Sequence, residues 1–103
     1  MNYFAVITTC GSEEEAVRIA NHLLNEKLVA CANWWQVSSA YWWEGSCEQA
    51  EEYMVFMKTV EKNLKAVESA VVAVHSYENP EVIQIPIKGG SKRYLDWVKG
   101  SVE

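Results

Sequence analysis

Eight side chains of the 103-residue chain form a loose set of candidates for ligand binding or catalysis. Their thiol, amine, imidazole, phenol and carboxyl groups can act as metal ligands, general acids, general bases or hydrogen-bonding groups. The chain contains no nucleophile elbow, phosphate-binding loop, HExxH or GxGxxG sequence, so no strong enzyme motif organises them. We therefore predict that they line a ligand cleft. The set is Cys31, Asn33, Trp43, Glu44, Lys58, His75, Tyr77 and Glu81.

Three of these residues have both a structural and a functional interpretation. His75 follows a predicted helix, where an imidazole more often caps the terminal carbonyl groups than binds a metal. Cys31 lies in an alternating strand and is either a small buried hydrophobic residue or a reactive thiol. Lys58 interrupts the alternation of the hydrophobic run 53–57. It either reaches into a cleft lined by Trp and Tyr or extends its ammonium group to water.

The elements that position these side chains follow from hydrophobic periodicity and from start and stop signals. Ser12, followed by three glutamates, is predicted to cap the first helix in a capping box. The glutamates suit the positive end of the helix dipole better than a metal site, because successive helical residues point in different directions. The predicted elements are strand 2–9, a helix from Ser12 to Lys27, strand runs 29–37 and 52–59, a helix over 60–75 capped by Thr59, strand 81–87 with an edge proline at Pro86, and a helix from Ser91 to Gly100.

A long hairpin is the dominant predicted element, with its tip at Glu44 and Gly45. Glycine after a polar residue, between two β-rich runs, indicates a tight turn. The two arms total about thirty residues, which is far more than the usual ~5–6 residues of a strand. The adjacent pairs Trp34-Trp35 and Trp42-Trp43 place one indole of each pair on either side of the sheet. We infer that another chain covers the second side.

The predicted order is β-α-β-β-α-β followed by a terminal helix, which indicates an α+β, ferredoxin-like fold. Right-handed crossovers would place both main helices on one face of an antiparallel sheet. The length and the 50% hydrophobic content predict a single domain over residues 1–103.

Composition also bears on partners and location. The net charge of −5 and the near absence of clustered Lys and Arg argue against nucleic-acid binding, because such binding requires a basic patch. No run of about 18 apolar residues predicts a membrane span. The first residues lack a basic region and a cleavage site, so we expect a cytoplasmic protein. Its three cysteines, without CxxC spacing, are expected to be reduced.

Several segments resemble motifs of the CutA divalent-cation tolerance family. They are Leu28-Val-Ala-Cys-Ala-Asn33, Tyr41-Trp-Trp-Glu-Gly45, Lys58-Thr59, His75-Ser-Tyr-Glu-Asn-Pro-Glu81 and Tyr94-Leu-Asp-Trp97. The resemblance covers nearly the whole chain. It implies a homotrimer of ferredoxin-like subunits, similar to the PII signal proteins, with interlocked hairpins and clefts between subunits. It also implies a role in tolerance of copper and other divalent metals, with no firmly assigned reaction and no required cofactor.

The copper-binding members of that family differ from this sequence at the ligands. They place a cysteine at the end of the first strand and a His-His pair before a Pro-Tyr sequence. Here Thr8 takes the cysteine position and Cys10 follows two residues later, while Val74 precedes His75 and Ser76 replaces the proline. His75 is thus the one matched ligand, and His75 with Cys10 forms the candidate metal set for Cu or another divalent cation. A lone imidazole is a poor site for Cu(II), which prefers several N, O or S donors.

Three functions remain open from the sequence. In the first, the trimer is a non-enzymatic binding or signalling module with a small ligand in an inter-subunit cleft. In the second, it binds copper or another soft metal directly, through His75 and the cysteine thiols. In the third, it is an enzyme that uses Lys58 and His75 as acid and base.

Overall fold

The structure is a computed structural model that describes residues 2–103. It contains four strands, three α-helices and one short 3-10 turn at Glu61–Asn63. No helix in the described range is long and apolar enough to cross a membrane. The elements in chain order are β1 (Tyr3–Cys10), α1 (Glu13–Asn25), β2 (Cys31–Trp43), β3 (Ser46–Val60), α2 (Leu64–Val74), β4 (Ile83–Ile87) and α3 (Lys92–Ser101).

The four strands form one sheet in the order β2-β3-β1-β4, and each neighbouring pair is antiparallel. This order, with α1 and α2 packed through one shared core, confirms the predicted α+β, ferredoxin-like fold. The core between sheet and helices is built from alternate residues of the central strands and from one stripe of each helix. Its fully buried members include Val6, Ile19, Val55, Met57 and Val71. Each such side chain contributes roughly 1.5–3 kcal/mol through removal from water.

The first helix begins as predicted but ends earlier. Ser12 Oγ accepts the backbone N–H of Glu15 at 3.1 Å, which confirms the cap. The predicted end at Lys27 is wrong, because α1 stops at Asn25 and Lys27 takes a left-handed φ of 55°. The Lys27 N–H donates to the Leu24 carbonyl and the Leu28 N–H to the Leu23 carbonyl, both at 3.0 Å. This Schellman pattern satisfies the last carbonyl groups without a glycine.

The second helix begins later than predicted, because Thr59 is not its cap. Thr59 remains in β3, where its hydroxyl donates to the Leu28 carbonyl at 2.6 Å. The 3-10 turn follows, and α2 runs from Leu64 to Val74, so His75 lies outside the helix. The terminal helix α3 also differs slightly, since it passes through Gly100 and ends at Ser101.

The hairpin confirms the predicted length and tip. β2 has 13 residues and β3 has 15, and their pairing continues out to Trp43 opposite Ser46. Glu44 and Gly45 form the two-residue turn with φ values of 49° and 84°. Positive φ at both central positions is the requirement of a type I′ turn, whose twist matches that of the strands. Residues 41–49, called the outer hairpin, are all exposed, so no other part of residues 2–103 buries them.

The sheet face opposite α1 and α2 is called the open face here. Trp34 packs against the helix-covered core, whereas its neighbour Trp35 is 46% exposed on the other side, as the alternation predicts. Ile83 and Ile85 of the edge strand β4 are also exposed. β4 begins at Ile83 rather than at residue 81, and Pro86 lies in this edge strand, as predicted. The open face thus presents aromatic and aliphatic side chains to solvent.

Candidate functional site

The structure divides the eight predicted cleft residues between separate places. Trp43, Tyr77 and Glu81 line one cleft, which lies between the outer hairpin and the loop over residues 76–81. Lys58 lies opposite Cys31, nearer the other end of β3. Lys58 is six positions along the same strand from Glu52, a cleft residue, which corresponds to roughly 20 Å of extended chain. Within one chain, the predicted residues therefore fall into separate groups.

Three remaining members of the predicted set occupy other positions. Asn33 is exposed and pairs with Phe56 in the β2–β3 ladder, between the two groups. Glu44 forms the tip of the hairpin with Gly45. His75 has a fully buried side chain next to the cleft loop.

The cleft has a volume of about 840 Å³ and mixed polar and aromatic walls. This size falls within the ~300–1,000 Å³ that is typical of small-molecule sites. Aromatic side chains of the outer hairpin form one wall, and β3 contributes Glu52 and Met54. The opposite wall is the loop 76–81. The arrangement can enclose an organic molecule rather than a bare ion.

Glu52 is the buried polar group of this cleft, with 5% of its surface exposed. Its Oε2 accepts a hydrogen bond from the Tyr77 hydroxyl at 2.7 Å. Burial, and then this bond to a carboxylate, raise the pKa of Tyr77 above its usual range, so the phenol stays a donor. Glu52 was not among the predicted site residues. The sequence signal for it was a glutamate at the start of the predicted strand run 52–59, where the next two residues on the same face, Met54 and Phe56, are apolar.

Glu81 brings a second carboxyl group to the same cleft. Burial, and then the negative charge of Glu52, raise the pKa of Glu81 above its usual range. The negative charge of Glu52 thus disfavours the ionised form of Glu81, and positive charge at this place would be favourable. A cation placed between them would relieve that repulsion.

His75 supports the cleft loop through both ring nitrogens. Its Nε2–H donates to the Thr9 carbonyl at 2.8 Å, and its Nδ1 accepts the Tyr77 backbone N–H at 3.0 Å. These partners fix the tautomer with the proton on Nε2. Neither nitrogen has a lone pair free for a metal in this arrangement.

Glu15, in the first turn of α1, anchors the same loop. Its carboxylate accepts the Ser76 backbone N–H at 2.8 Å and the Ser76 hydroxyl at 2.9 Å. Burial acts to raise the pKa of Glu15, but the two Ser76 bonds outweigh it and hold that pKa below its usual range. The capping box is therefore only half formed, because this carboxylate bonds the loop and the Gly11 N–H instead of the Ser12 N–H.

The second predicted metal ligand, Cys10, is fully buried. Its thiol donates to the carbonyls of Ser12 and Tyr53, at 3.5 and 3.7 Å. Burial, and then the Glu15 carboxylate, raise the pKa of Cys10 to about 11. Thr8, at the position of the family's cysteine, is also fully buried. Within residues 2–103, no group of three or more His, Cys, Asp or Glu side chains is arranged to hold a metal ion.

The second site is a thiol cluster of Cys31, Lys58 and Tyr94. The Lys58 Nζ lies 3.2 Å from the Cys31 Sγ and 3.1 Å from the Tyr94 hydroxyl. The Cys31 Sγ and the Tyr94 hydroxyl are 3.6 Å apart. Burial acts to lower the pKa of Lys58, but the bonds to Tyr94 and Cys31 outweigh it and raise that pKa. Tyr94, which α3 supplies, was missed as a site residue; the sequence had marked it as the start of the segment Tyr94-Leu-Asp-Trp97 that resembles the family.

Comparison with known sequences gives a consistent match along the chain. Residues 4–101 match the family described as CutA1 divalent ion tolerance protein. The divalent-cation tolerance protein CutA of Archaeoglobus fulgidus is 43% identical over 98 residues, which cover 95% of this chain and 96% of the relative. The chloroplastic protein CutA 1 of Oryza sativa is 42% identical over 97 residues, which cover 93% of this chain and 55% of that longer protein.

Solved structures agree with the sequence matches. The structure of the periplasmic divalent cation tolerance protein CutA from Archaeoglobus fulgidus superimposes with a TM-score of 0.96 and 42% identity, and covers 98% of this chain and 99% of that one. The crystal structure of CutA1 from Oryza sativa also gives a TM-score of 0.96, with 39% identity, over 100% of this chain and 95% of that one.

Proposed function

This chain belongs to the CutA1 divalent ion tolerance protein family, and from that premise we propose that it is a non-enzymatic binding or signalling module in divalent metal ion tolerance. In this proposal the working form is a homotrimer, and a small ligand occupies the cleft beside the loop 76–81 where a neighbouring subunit meets the hairpin. No cofactor is required.

The observation that carries the proposal is the chemistry of that cleft. Glu52 and Glu81 bring two carboxyl groups to a space of about 840 Å³ that has indole and phenol rings along one side. Aromatic faces attract cations, and the attraction strengthens when water is excluded. A bare divalent ion would fill only a small part of this volume. The combination supports an organic cation, such as an ammonium or guanidinium compound, as the ligand class.

The assembly part of the proposal is supported by the surfaces that one chain leaves uncovered. Trp35 is 46% exposed on the open face, and Trp42 and Trp43 are 77% and 44% exposed on the outer hairpin. Alternation along β2 places Trp35 and Trp43 on one face and Trp42 on the other, so exposed indoles lie on both sides of the hairpin. Further copies of the chain would bury these indoles.

The two other functions have less support from the geometry. Acid–base catalysis needs Lys58 and His75 at one substrate, but Lys58 is bonded to Cys31 and Tyr94 while His75 holds the loop at Thr9. Direct copper binding through His75 needs a free ring nitrogen, and both have hydrogen-bond partners. Binding in the cleft requires no such rearrangement.

A melting-temperature screen with matched ligands tests the proposal. The probes are phenethylammonium, which carries an aromatic ring and a positive charge, phenethyl alcohol, its neutral counterpart, and copper(II) chloride. We expect phenethylammonium to raise the melting temperature and phenethyl alcohol to have little effect, because the carboxyl groups select the charge.

Variants assign the effect to the cleft. Glu52→Gln and Glu81→Gln should each abolish the shift with phenethylammonium, whereas Glu48→Gln should retain it, because Glu48 is an exposed residue of β3 that does not line the cleft. Equal shifts with the alcohol, or a shift with phenethylammonium that survives both cleft variants, would contradict the proposal. A shift with copper(II) alone would favour direct metal binding instead.

A further inference from the structure

The three cysteines of the chain lie in three different environments. Cys10 is buried, Cys31 is partly buried and Cys47 is exposed near the hairpin tip. Burial beside the Glu15 carboxylate raises the pKa of Cys10 to about 11, which disfavours its reactive form. Cys47 lies opposite Trp42 in the hairpin ladder. Of the three, Cys31 has a positively charged side chain in contact with its sulfur.

The positively charged side chain is that of Lys58, whose ammonium group contacts the Cys31 sulfur. The Nζ–Sγ distance of 3.2 Å is within hydrogen-bond range for sulfur. None of the ion pairs formed within residues 2–103 includes Lys58. An ammonium group beside a cysteine favours the thiolate, and the thiolate is the nucleophilic form. No carboxylate competes with Cys31 for this ammonium among those pairs.

Tyr94 completes the cluster from the side of α3. Its hydroxyl lies 3.1 Å from the Lys58 Nζ and 3.6 Å from the Cys31 Sγ, so it holds the ammonium beside the sulfur. The Lys58 Nζ also lies 5.5 Å from the centre of the Tyr94 ring, within the range of a cation–π contact. Cys31 itself keeps part of its surface open to solvent. In the single chain, the sulfur is thus held next to a charge and is partly exposed to solvent.

We propose that Cys31 is the reactive thiol of this protein, a site of S-alkylation by small soft carbon electrophiles, with Lys58 stabilising its thiolate. The sulfur electron pair attacks the electrophilic carbon, a carbon–sulfur bond forms, and the leaving group departs with its bonding pair. The thiol proton passes to solvent before the attack, and Lys58 stays protonated throughout. No oxidant, metal or further reactant is needed. The site is independent of the acidic cleft.

The test measures alkylation of each cysteine by iodoacetamide, a neutral reagent that loses iodide, on the assembled protein at pH 7. Peptide mass spectrometry gives a separate alkylation rate for each cysteine. Each rate is divided by the rate of the same cysteine in protein unfolded in guanidinium chloride. We expect Cys31 to react about tenfold faster than Cys47, because the Lys58 ammonium group contacts the Cys31 sulfur. Cys10 should stay unmodified. A faster reaction at Cys47, or a protected Cys31, would overturn the proposal on the parent protein alone.

Variants of the lysine distinguish charge from packing. Lys58→Met keeps a long side chain without the charge and should slow the Cys31 reaction about tenfold, whereas Lys58→Arg keeps the charge and should stay within about threefold of the parent rate. Lys92→Met is the matched control, because Lys92 is an exposed lysine paired with Asp96. An unchanged Cys31 rate in a folded Lys58→Met protein would refute the role of Lys58.

Discussion

At the level of single residues, the loop 76–81 is held on two sides by hydrogen bonds to other elements. Ser76 is bonded to Glu15 of α1, and Tyr77 is bonded to Glu52 of β3. His75, just before the loop, is bonded to the Thr9 carbonyl at the end of β1. The wall of the cleft is therefore positioned by polar contacts to three separate elements, and loss of one contact should be measurable.

Tyr77→Phe is expected to destabilise the protein and to weaken binding in the cleft. The substitution removes the donor to the buried Glu52 carboxylate, and a buried charged acceptor without its partner costs about 1–3 kcal/mol. Urea denaturation measures the free energy of unfolding. Tyr41→Phe, at an exposed position of β2 that lines the same cleft, is the control and should differ from the parent by less than about 0.5 kcal/mol. An equal loss of unfolding free energy in both variants would mean that the hydrogen bond from Tyr77 to Glu52 does not stabilise the protein.

Glu15→Gln is expected to lower the stability in a pH-dependent way. Because the folded-state pKa of Glu15 lies below the ordinary pKa of a glutamate, its carboxylate stabilises the fold at pH values above that ordinary pKa. The contribution is lost as the pH falls through the lower pKa of the folded state. The free energy of unfolding of the variant should thus be lower than that of the parent by roughly 1 kcal/mol or more at pH 7, and this difference should shrink toward pH 3.

The measurement is the free energy of unfolding of both proteins across this pH range. Glu14→Gln, at the neighbouring position of the first turn of α1, serves as the control for loss of one helix-dipole charge. A difference for Glu15→Gln that stays constant with pH would show that the Ser76 bonds do not depend on the charge.

The sequence predicted part of the candidate site. Residue type and spacing identified Tyr77, Glu81 and Lys58, but they could not show that Lys58 and Tyr77 belong to different clusters, because that depends on the length of β3 between them. Glu15 was assigned to the helix dipole, and its bond to Ser76 joins residues 61 positions apart. Such long-range partners follow from the packing of α1 beside the loop, not from local pattern.

At the level of elements, the hairpin is the feature that departs furthest from a compact small domain. Its turn places a non-glycine residue, Glu44, at a φ of 49° and Gly45 at 84°. Left-handed backbone is costly for residues with a Cβ, so the turn tolerates little change at Gly45. Residues 41–49 are exposed, so within residues 2–103 the conformation of the outer hairpin depends on this turn and on the pairing of β2 with β3.

Gly45→Val is expected to destabilise the hairpin by roughly 1 kcal/mol or more, through backbone strain alone. A Cβ at this position would have no heavy atom within 4 Å, so a steric clash is not the cause. Glu44→Asn is the matched test in the opposite direction and should stabilise the turn, since asparagine tolerates the left-handed region. Thermal melting compares the variants. A Gly45→Val protein that melts with the parent would contradict the assigned turn.

Element types were predicted more reliably than element ends. All four strands and three α-helices were expected, because alternation and the helical period are strong local signals. The ends shifted where tertiary contacts intervened. Thr59 was expected to cap a helix, yet its hydroxyl bonds the Leu28 carbonyl, and Lys27 adopts the conformation usually given to glycine at a helix end. Neither contact has a sequence signal of its own.

At the level of the whole molecule, one chain has an extended shape, with principal extents of 44 × 25 × 22 Å. Its helix-covered face is well packed, while its open face and outer hairpin leave large side chains in contact with water. Burial of one such indole or isoleucine contributes roughly 1.5–3 kcal/mol. Burial of several of these side chains between subunits would favour association, which supports the assembly part of the proposal.

The assembly is expected to be stable at micromolar concentration. Multi-angle light scattering should give a mass of about three times 11.7 kDa. Trp35→Glu should reduce this mass, because a carboxylate on the open face would oppose its burial, whereas Lys92→Glu, at an exposed position of α3, should leave it unchanged. A parent protein that stays folded as a monomer of 11.7 kDa would refute the trimer.

The central claim is that the cleft between the outer hairpin and the loop 76–81 binds a cation through Glu52 and Glu81. A crystal structure of the assembled protein soaked with phenethylammonium tests it most directly. We expect density in that cleft, with the ammonium nitrogen about 3 Å from a carboxylate oxygen and the ring against the aromatic wall. Clear density at another place, or an empty cleft at a concentration that raises the melting temperature, would contradict it.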